Sequence, residues 1–291
     1  MCPDGHFHSL EKGYLDAMGE RVADSSTART LASFGYEWNA FDDVRPEDED
    51  FAKIYFKDVD LPRLRGLVGL DAGCGKGRFT RVMARSLSAV VALDGSNAVD
   101  AAVKNLNEMP NVFVVRADLR SPPLAPESFD FVACLGVLHH LDDPRGGFRR
   151  LVRYVAPKGQ LLLYLYSRPT AFGSRKVGLA LASALRKLTV LMPARLLEMS
   201  CCPIALALYG MVVIPGRFGA DHGLSFLERL PMDTYRDKPW RSLVLDTFDR
   251  LSAPVEHRFV WSELAPWFDE VGLVVDSARD ETGWFILAHR S

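Results

Sequence analysis

The chain has 291 residues, 48% of them hydrophobic and 25% charged, and a formal net charge of -2. That length holds one large domain or a domain with a substantial insertion, and the near-neutral charge removes any general attraction to nucleic acid. Five scattered cysteines (Cys2, Cys74, Cys134, Cys201, Cys202) fit packing residues of a reduced, cytoplasmic protein rather than a disulfide framework, and the opening MCPDGHFHSLEKG lacks the regions of a secretory signal.

Residues 1 to 66 read as a helical, partly acidic cap region. Cys2, His6 and His8 are ligand types for zinc, but a closed site needs four ligands and no second cysteine pair is present, so no metal is expected. The stretch VRPEDEDFAKIYF reads either as a cover for the ligand end of a sheet or as a solvated face with a few packing aromatics.

From residue 67 to 169 apolar runs alternate with helical patterns: LVGLDA, AVVALD, VFVVRAD, FDFVACL and QLLLYLY. Such alternation predicts an α/β fold with a parallel sheet covered on both faces. The first run ends at Asp71, and Gly73, Gly75 and Gly77 follow at alternate positions. A dinucleotide fingerprint needs glycines at the first, third and sixth positions, and the sixth here is Arg78. Asp71 beside a pyrophosphate would also repel it. S-adenosylmethionine (SAM) has no phosphate and carries an ammonium and a sulfonium, which a carboxylate at this turn suits. Asp94 ends the second run, where an acid accepts from ribose hydroxyls, and Asp118 ends the third, within reach of an adenine amino group. Lys76 and Arg78 in the glycine loop face either the cofactor's carboxylate or solvent. After the fourth run comes LHHL, with His139 and His140 where side chains reach past a cofactor toward an acceptor. Imidazole suits the deprotonation of a phenol, enol or hydroxyl; alternatively one histidine bonds to backbone and the other packs.

Residues 170 to 255 interrupt the pattern as a helical insertion, a substrate lid or an interface. Residues 171 to 218 carry Arg175, Lys176, Arg186, Lys187, Arg195 and Arg217 against the single acid Glu198, and the run from Met199 to Gly216 is uncharged. That run is marginal against the about 20 apolar residues a span needs and carries Pro203, Gly210 and Pro215, so a buried helical insertion, and no transmembrane segment, is expected. Cys201 and Cys202 read as core. An apolar wall with a basic fringe suits an acceptor with a long apolar or aromatic body, a peripheral membrane contact or a homodimer partner. Residues 256 to 291 hold a last helix and the runs LVVDSA and WFILAHR around RDETG, an antiparallel hairpin that brings the strands to seven.

LDAGCGKGRF, ALDGS, ADLRSPPLAPESFDFV and CLGVLHHLDDP together resemble the motifs of the class I SAM-dependent methyltransferases, more narrowly the ubiquinone/menaquinone-methyltransferase-like group. The resemblance covers residues 67 to 166 and the closing helix and hairpin. It implies a Rossmann-like sheet of order 3-2-1-4-5-7-6, with Gly73, Gly75 and Gly77 around the methionine part. It further implies Asp94 and Gly95 at the ribose, Asp118 and Leu119 at adenine, and Leu135 beside the cofactor. FGYEWNAF resembles a segment preceding the domain in such enzymes, which implies that Tyr36 or Trp38 approaches the cofactor. The function expected is methyl transfer from SAM to a small-molecule acceptor. The alternatives are other SAM chemistry on the same fold, a non-catalytic binding protein, or an RNA methyltransferase.

Overall fold

The computed structural model describes residues 12–18, 25–170, 174–224, 227, 240–281 and 283–291. They fall into two compact units, Met1–Arg168 with Val255–Ser291, and Pro169–Pro254. The zinc-ligand types Cys2, His6 and His8 lie outside the described residues.

The first unit is built on a single sheet. Its strands are β1 (Leu15–Asp16), β2 (Val68–Ala72), β3 (Ala89–Asp94), β4 (Val112–Arg116), β5 (Phe129–Leu135), β6 (Val155–Leu165), β7 (Leu273–Asp280) and β8 (Trp284–Arg290). They lie in the order β1-β4-β3-β2-β5-β6-β8-β7, parallel except that β8 runs antiparallel to β6 and β7. The seven predicted strands are all present in the predicted order. The eighth, β1, is two residues long and pairs in parallel with the outer edge of β4, Leu15 opposite Val115. A strand that short has no periodicity to read; Asp16 is held instead by an ion pair with Arg116 at 3.2 Å.

Side chains alternate across β5, and each face buries its own cluster. Val132 and Cys134 join Leu70, Leu161, Phe148 and Phe268 on one side. Phe131 and Ala133 join Val90, Met83, Leu162 and Phe285 on the other. The helices of this unit are α1 (Ser25–Ala40), α2 (Pro46–Tyr55), α3 (Arg78–Ala84), α4 (Val99–Leu106) and α5 (Pro144–Val152), with Trp261–Val271 completing it near the C-terminus. Asp143 caps α5, accepting from the Gly146 N–H at 2.9 Å. Strand order reverses at β2, with β3 on one side and β5 on the other, so the chain leaves β2 and β5 in opposite directions and opens a crevice at their C-terminal ends.

The second unit is helical: α6 (Ser174–Thr189), α7 (Ala194–Leu208), a π turn (Tyr209–Val213), α8 (Ile214–His222) and α9 (Trp240–Ser252). Trp261–Val271 is therefore α10. Both α6 and α7 pack on α9, where Leu197, Cys201 and Ala205 bury one stripe of α7. Cys201 is core as expected, whereas Cys202 is exposed. Pro203, Gly210 and Pro215 lie inside the insertion's apolar helix without ending it. Ala194–His222 is one helix of 29 residues whose most apolar 18-residue stretch has a mean hydropathy of 1.9, long and apolar enough by length and composition to cross a membrane. The π turn explains the continuity: the Ile214 N–H donates to the Tyr209 carbonyl, and this wider turn immediately precedes Pro215, whose ring would otherwise crowd the preceding turn.

Candidate cofactor and catalytic site

The crevice at the switch point gathers the predicted residues. Gly73, Gly75 and Gly77 all adopt left-handed backbone, with φ of 89°, 53° and 85°. A Cβ on Gly73 would lie 2.2 Å from Val137 Cγ2 and one on Gly77 2.7 Å from Leu106 Cδ1, so the turn needs glycine for both backbone and space. The turn is tied to the next strand: the Gly73 and Cys74 N–H groups both donate to the Leu93 carbonyl, at 2.7 and 2.9 Å.

The three strand-tip acids differ in their surroundings. Asp71 is 1% exposed and accepts from the Thr80 hydroxyl at 2.6 Å. Burial pushes its carboxyl up to about 6, the nearby Asp94 charge adds to that shift and the Thr80 hydroxyl opposes it. Asp71 thus braces the start of α3 from within the protein and presents no surface to a ligand. Asp94 is half-buried; one carboxylate oxygen accepts from the Gly75 N–H at 2.9 Å and the other from the Ser96 N–H and hydroxyl. Asp118 is clasped by Arg120, whose Nη2 and backbone N–H donate at 2.7 and 2.8 Å. Burial raises the Asp118 pKa, but the Arg120 hydrogen bonds and charge outweigh it and hold the carboxyl below its ordinary value. An adenine amino group would share Asp118 with that guanidinium. Leu119 and Leu135 are buried beside these tips.

Helix α1 covers the same edge. A Cβ on Gly75 would meet the Trp38 ring at 3.1 Å, one on Gly95 would meet Leu31 at 3.1 Å, and one on Gly35 would meet the Asn97 backbone N at 3.1 Å. Trp38 lies over the glycine turn, with the Arg78 guanidinium 5.2 Å from its ring. Tyr36 shares the helix and is half-buried. Lys76 turns inward and Arg78 is half-buried: Lys76 is 5% exposed, donates to the Asp43 carbonyl at 2.7 Å and pairs with Asp48 at 3.3 Å, and Arg78 lies 3.6 Å from the same carboxylate. The acidic α2 stretch therefore buttresses the glycine turn, a role sequence reading left open. Its charge pairing with a buried lysine depends on tertiary contact and has no sequence signature.

The two histidines separate. His139 is 0% exposed, stacks on Tyr166 at 3.9 Å, and neither ring nitrogen has a hydrogen-bond partner. Burial first, then the charges of His140, Arg258 and His257, drive its pKa well below the ordinary value. His139 is a neutral core residue, which corrects its placement beside His140 as a base. His140 Nδ1 lies 2.7 Å from the Val255 carbonyl. A carbonyl only accepts, so neutral His140 carries its proton on Nδ1 and its basic lone pair on Nε2. Phe34 and Tyr166 meet its ring edge-on at 4.8 and 5.8 Å. Sequence reasoning missed Tyr166, which follows β6 and touches both histidines, and Arg258, whose guanidinium lies 4.7 Å from the Tyr166 ring. Among the described residues no group of histidine, cysteine or acidic side chains could hold a metal.

The profile of a family described as "Methyltransferase domain" matches residues 70–163. The chain is 35% identical over 114 residues to ubiquinone biosynthesis O-methyltransferase of Pseudomonas fluorescens, covering 38% of this chain and 49% of that protein. It is 35% identical over 104 residues to the mitochondrial protein of that name from Schizosaccharomyces pombe, covering 34% and 38%. The chain thus spans about half or less of the length of these curated relatives. Among solved structures, a SAM-dependent methyltransferase from Aquifex aeolicus superposes with a TM-score of 0.50 at 15% identity, covering 88% of this chain and 98% of that one. Burkholderia thailandensis 1,6-didemethyltoxoflavin-N1-methyltransferase superposes at 0.53 with 12% identity, covering 94% of each chain. Residues 70–163 are therefore a methyltransferase domain, set in the sheet of the class I SAM-dependent methyltransferase fold.

Proposed function

We propose that the protein transfers a methyl group from SAM to a hydroxyl of a small acceptor with an apolar or aromatic body, and that His140 takes the hydroxyl proton. The glycine turn lacks the sixth-position glycine of a dinucleotide site, Arg78 standing there, and Asp94 is a half-buried acceptor at the tip of β3 where ribose hydroxyls donate. SAM, when bound, supplies an electrophilic methyl group, so the protein's task is alignment and management of one proton.

The observation that carries this reading is the hydrogen bond from His140 Nδ1 to the Val255 carbonyl, which places the lone pair of the neutral ring on Nε2, in the turn that follows β5. Phe34 and Tyr166 around that imidazole favour an aromatic acceptor, and the relatives named O-methyltransferase support oxygen as the methylated atom.

The test is transfer of an isotope-labelled methyl group from SAM to a panel of phenols and catechols. His140→Ala should lose kcat by roughly 10²-fold while SAM affinity measured by calorimetry is unchanged. Labelled product formed equally fast by both proteins would remove His140 as the base. SAM binding without transfer to any acceptor in the panel would overturn the hydroxyl assignment.

A further inference from the structure

The helix Ala194–His222 buries little of itself: only 22% of its most apolar stretch is buried. Leu197, Cys201 and Ala205, then Val213, Gly216 and Gly219, form its inward stripe. The other side presents Met199 (71% exposed), Leu206 (64%), Met211 (68%), Ile214 and Phe218 to the outside. At the corner between α6 and α7, Leu188 and Leu191 are also exposed, at 70% and 73%. Soluble monomers seldom leave a contiguous apolar surface of this kind uncovered.

Charge identifies the occupant. Lys187 adjoins Leu188, Arg195 adjoins Leu196, and Lys176 lies near the start of α6; all three are exposed, and the acids from residue 171 to the end of the helix at His222 are Glu198 and, in its last turn, Asp221. Cations beside exposed aliphatic side chains match the phosphates and acyl boundary of an anionic bilayer. Protein interfaces are depleted in lysine, whereas exposed Lys187 adjoins the exposed leucines here. The helix does not suit a lone span. Its Ala194–Leu208 part packs on α9, which carries Arg241, Asp246, Asp249 and Arg250 and could not follow it into hydrocarbon.

We propose that the outer face of Ala194–His222 docks on an anionic phospholipid surface, its apolar side chains entering one leaflet while Lys187 and Arg195 meet headgroup phosphates. This is independent of the methyl-transfer reading.

Flotation of the full chain with phosphatidylcholine vesicles, with and without phosphatidylglycerol, tests it. The protein should float with the mixed vesicles and at least about tenfold less with phosphatidylcholine alone, since each cation near an anionic surface contributes roughly a fivefold factor. Leu206→Ser with Met211→Ser should abolish flotation while circular dichroism and SAM affinity stay as in the parent; both positions are exposed, so the fold is not at risk. Lys187→Gln with Arg195→Gln should reduce the preference for anionic vesicles. No flotation with either vesicle, or undiminished flotation of the serine variant, would overturn the proposal. So would a lipid-free dimer that the serine variant converts to monomer, since a second copy would then cover the face. Recovery from cell membranes by detergent but not by high salt or carbonate would overturn it in favour of a span.

Discussion

Asp71 and Asp94 end neighbouring strands, and burial gives them opposite duties. Asp71 is enclosed with its carboxyl pushed up to about 6, above the 3.8 of an unperturbed aspartate. The folded state therefore binds this proton more tightly than the unfolded chain, and the associated stability is full below pH 3.8 and is lost as pH rises through about 6. Asp71→Asn has no charge to desolvate, so its stability relative to the parent should grow by about 2 kcal/mol between pH 4 and pH 8, as read from urea midpoints. A constant difference across that range would show that Asp71 is not the buried titrating group. Asp94 keeps an accessible flank, and its role is tested by affinity. Asp94→Ala removes an acceptor for ribose hydroxyls and the partner of the Gly75 N–H, and should weaken SAM by about 2 to 3 kcal/mol, the scale of lost charge-assisted hydrogen bonds. An unchanged calorimetric affinity would take Asp94 out of the ribose site.

The turn between β2 and α3 is where backbone and packing make the same demand. Gly73→Ala meets two penalties, a left-handed φ of 89° and a Cβ 2.2 Å from Val137, and should cost at least about 2 kcal/mol of folding stability. Adding Val137→Ala removes the clash and not the strained φ, so the double variant should recover only part of the loss beyond the cost of its own cavity. Strictly additive losses would show that Val137 does not press on the turn. The sheet around this turn was legible because each buried parallel strand is a compact apolar run and three of them carry an aspartate within two residues of their C-terminal ends. The paired register, Asp71 opposite Ala92 and Asp94 opposite Arg116, then brings those ends to one edge. What could not be read depends on tertiary neighbours. LHHL does not reveal that one imidazole enters the core and the next bonds to Val255, because adjacent residues diverge only once the following loop has packed. Lys76 reads as a surface charge until α2 places Asp48 beside it. The π turn that accommodates Pro215 leaves no mark in the sequence.

At the scale of the whole molecule, the chain leaves the first unit at Arg168 and re-enters it at Val255. The two ends are joined within that unit: Ser167 bridges Phe259, the Arg168 N–H donates to the Phe259 carbonyl at 2.9 Å, the Phe259 N–H to the Tyr166 carbonyl at 3.0 Å, and the His257 N–H to the His139 carbonyl at 2.8 Å. These bonds hold the segment bearing Val255, and with it the His140 tautomer, without calling on any residue of Pro169–Pro254. Replacing Pro169–Pro254 by a Gly/Ser linker of about eight residues shortens the closed loop roughly tenfold and should lower its closure cost by about 2 kcal/mol. The shortened protein should therefore melt in one cooperative transition and bind SAM within about threefold of the parent, and it should no longer float with anionic vesicles. A shortened chain that is molten by near-ultraviolet circular dichroism would show that the sheet unit needs the helical unit to fold. A folded one that has lost SAM would show that the helical unit contributes to the cofactor site.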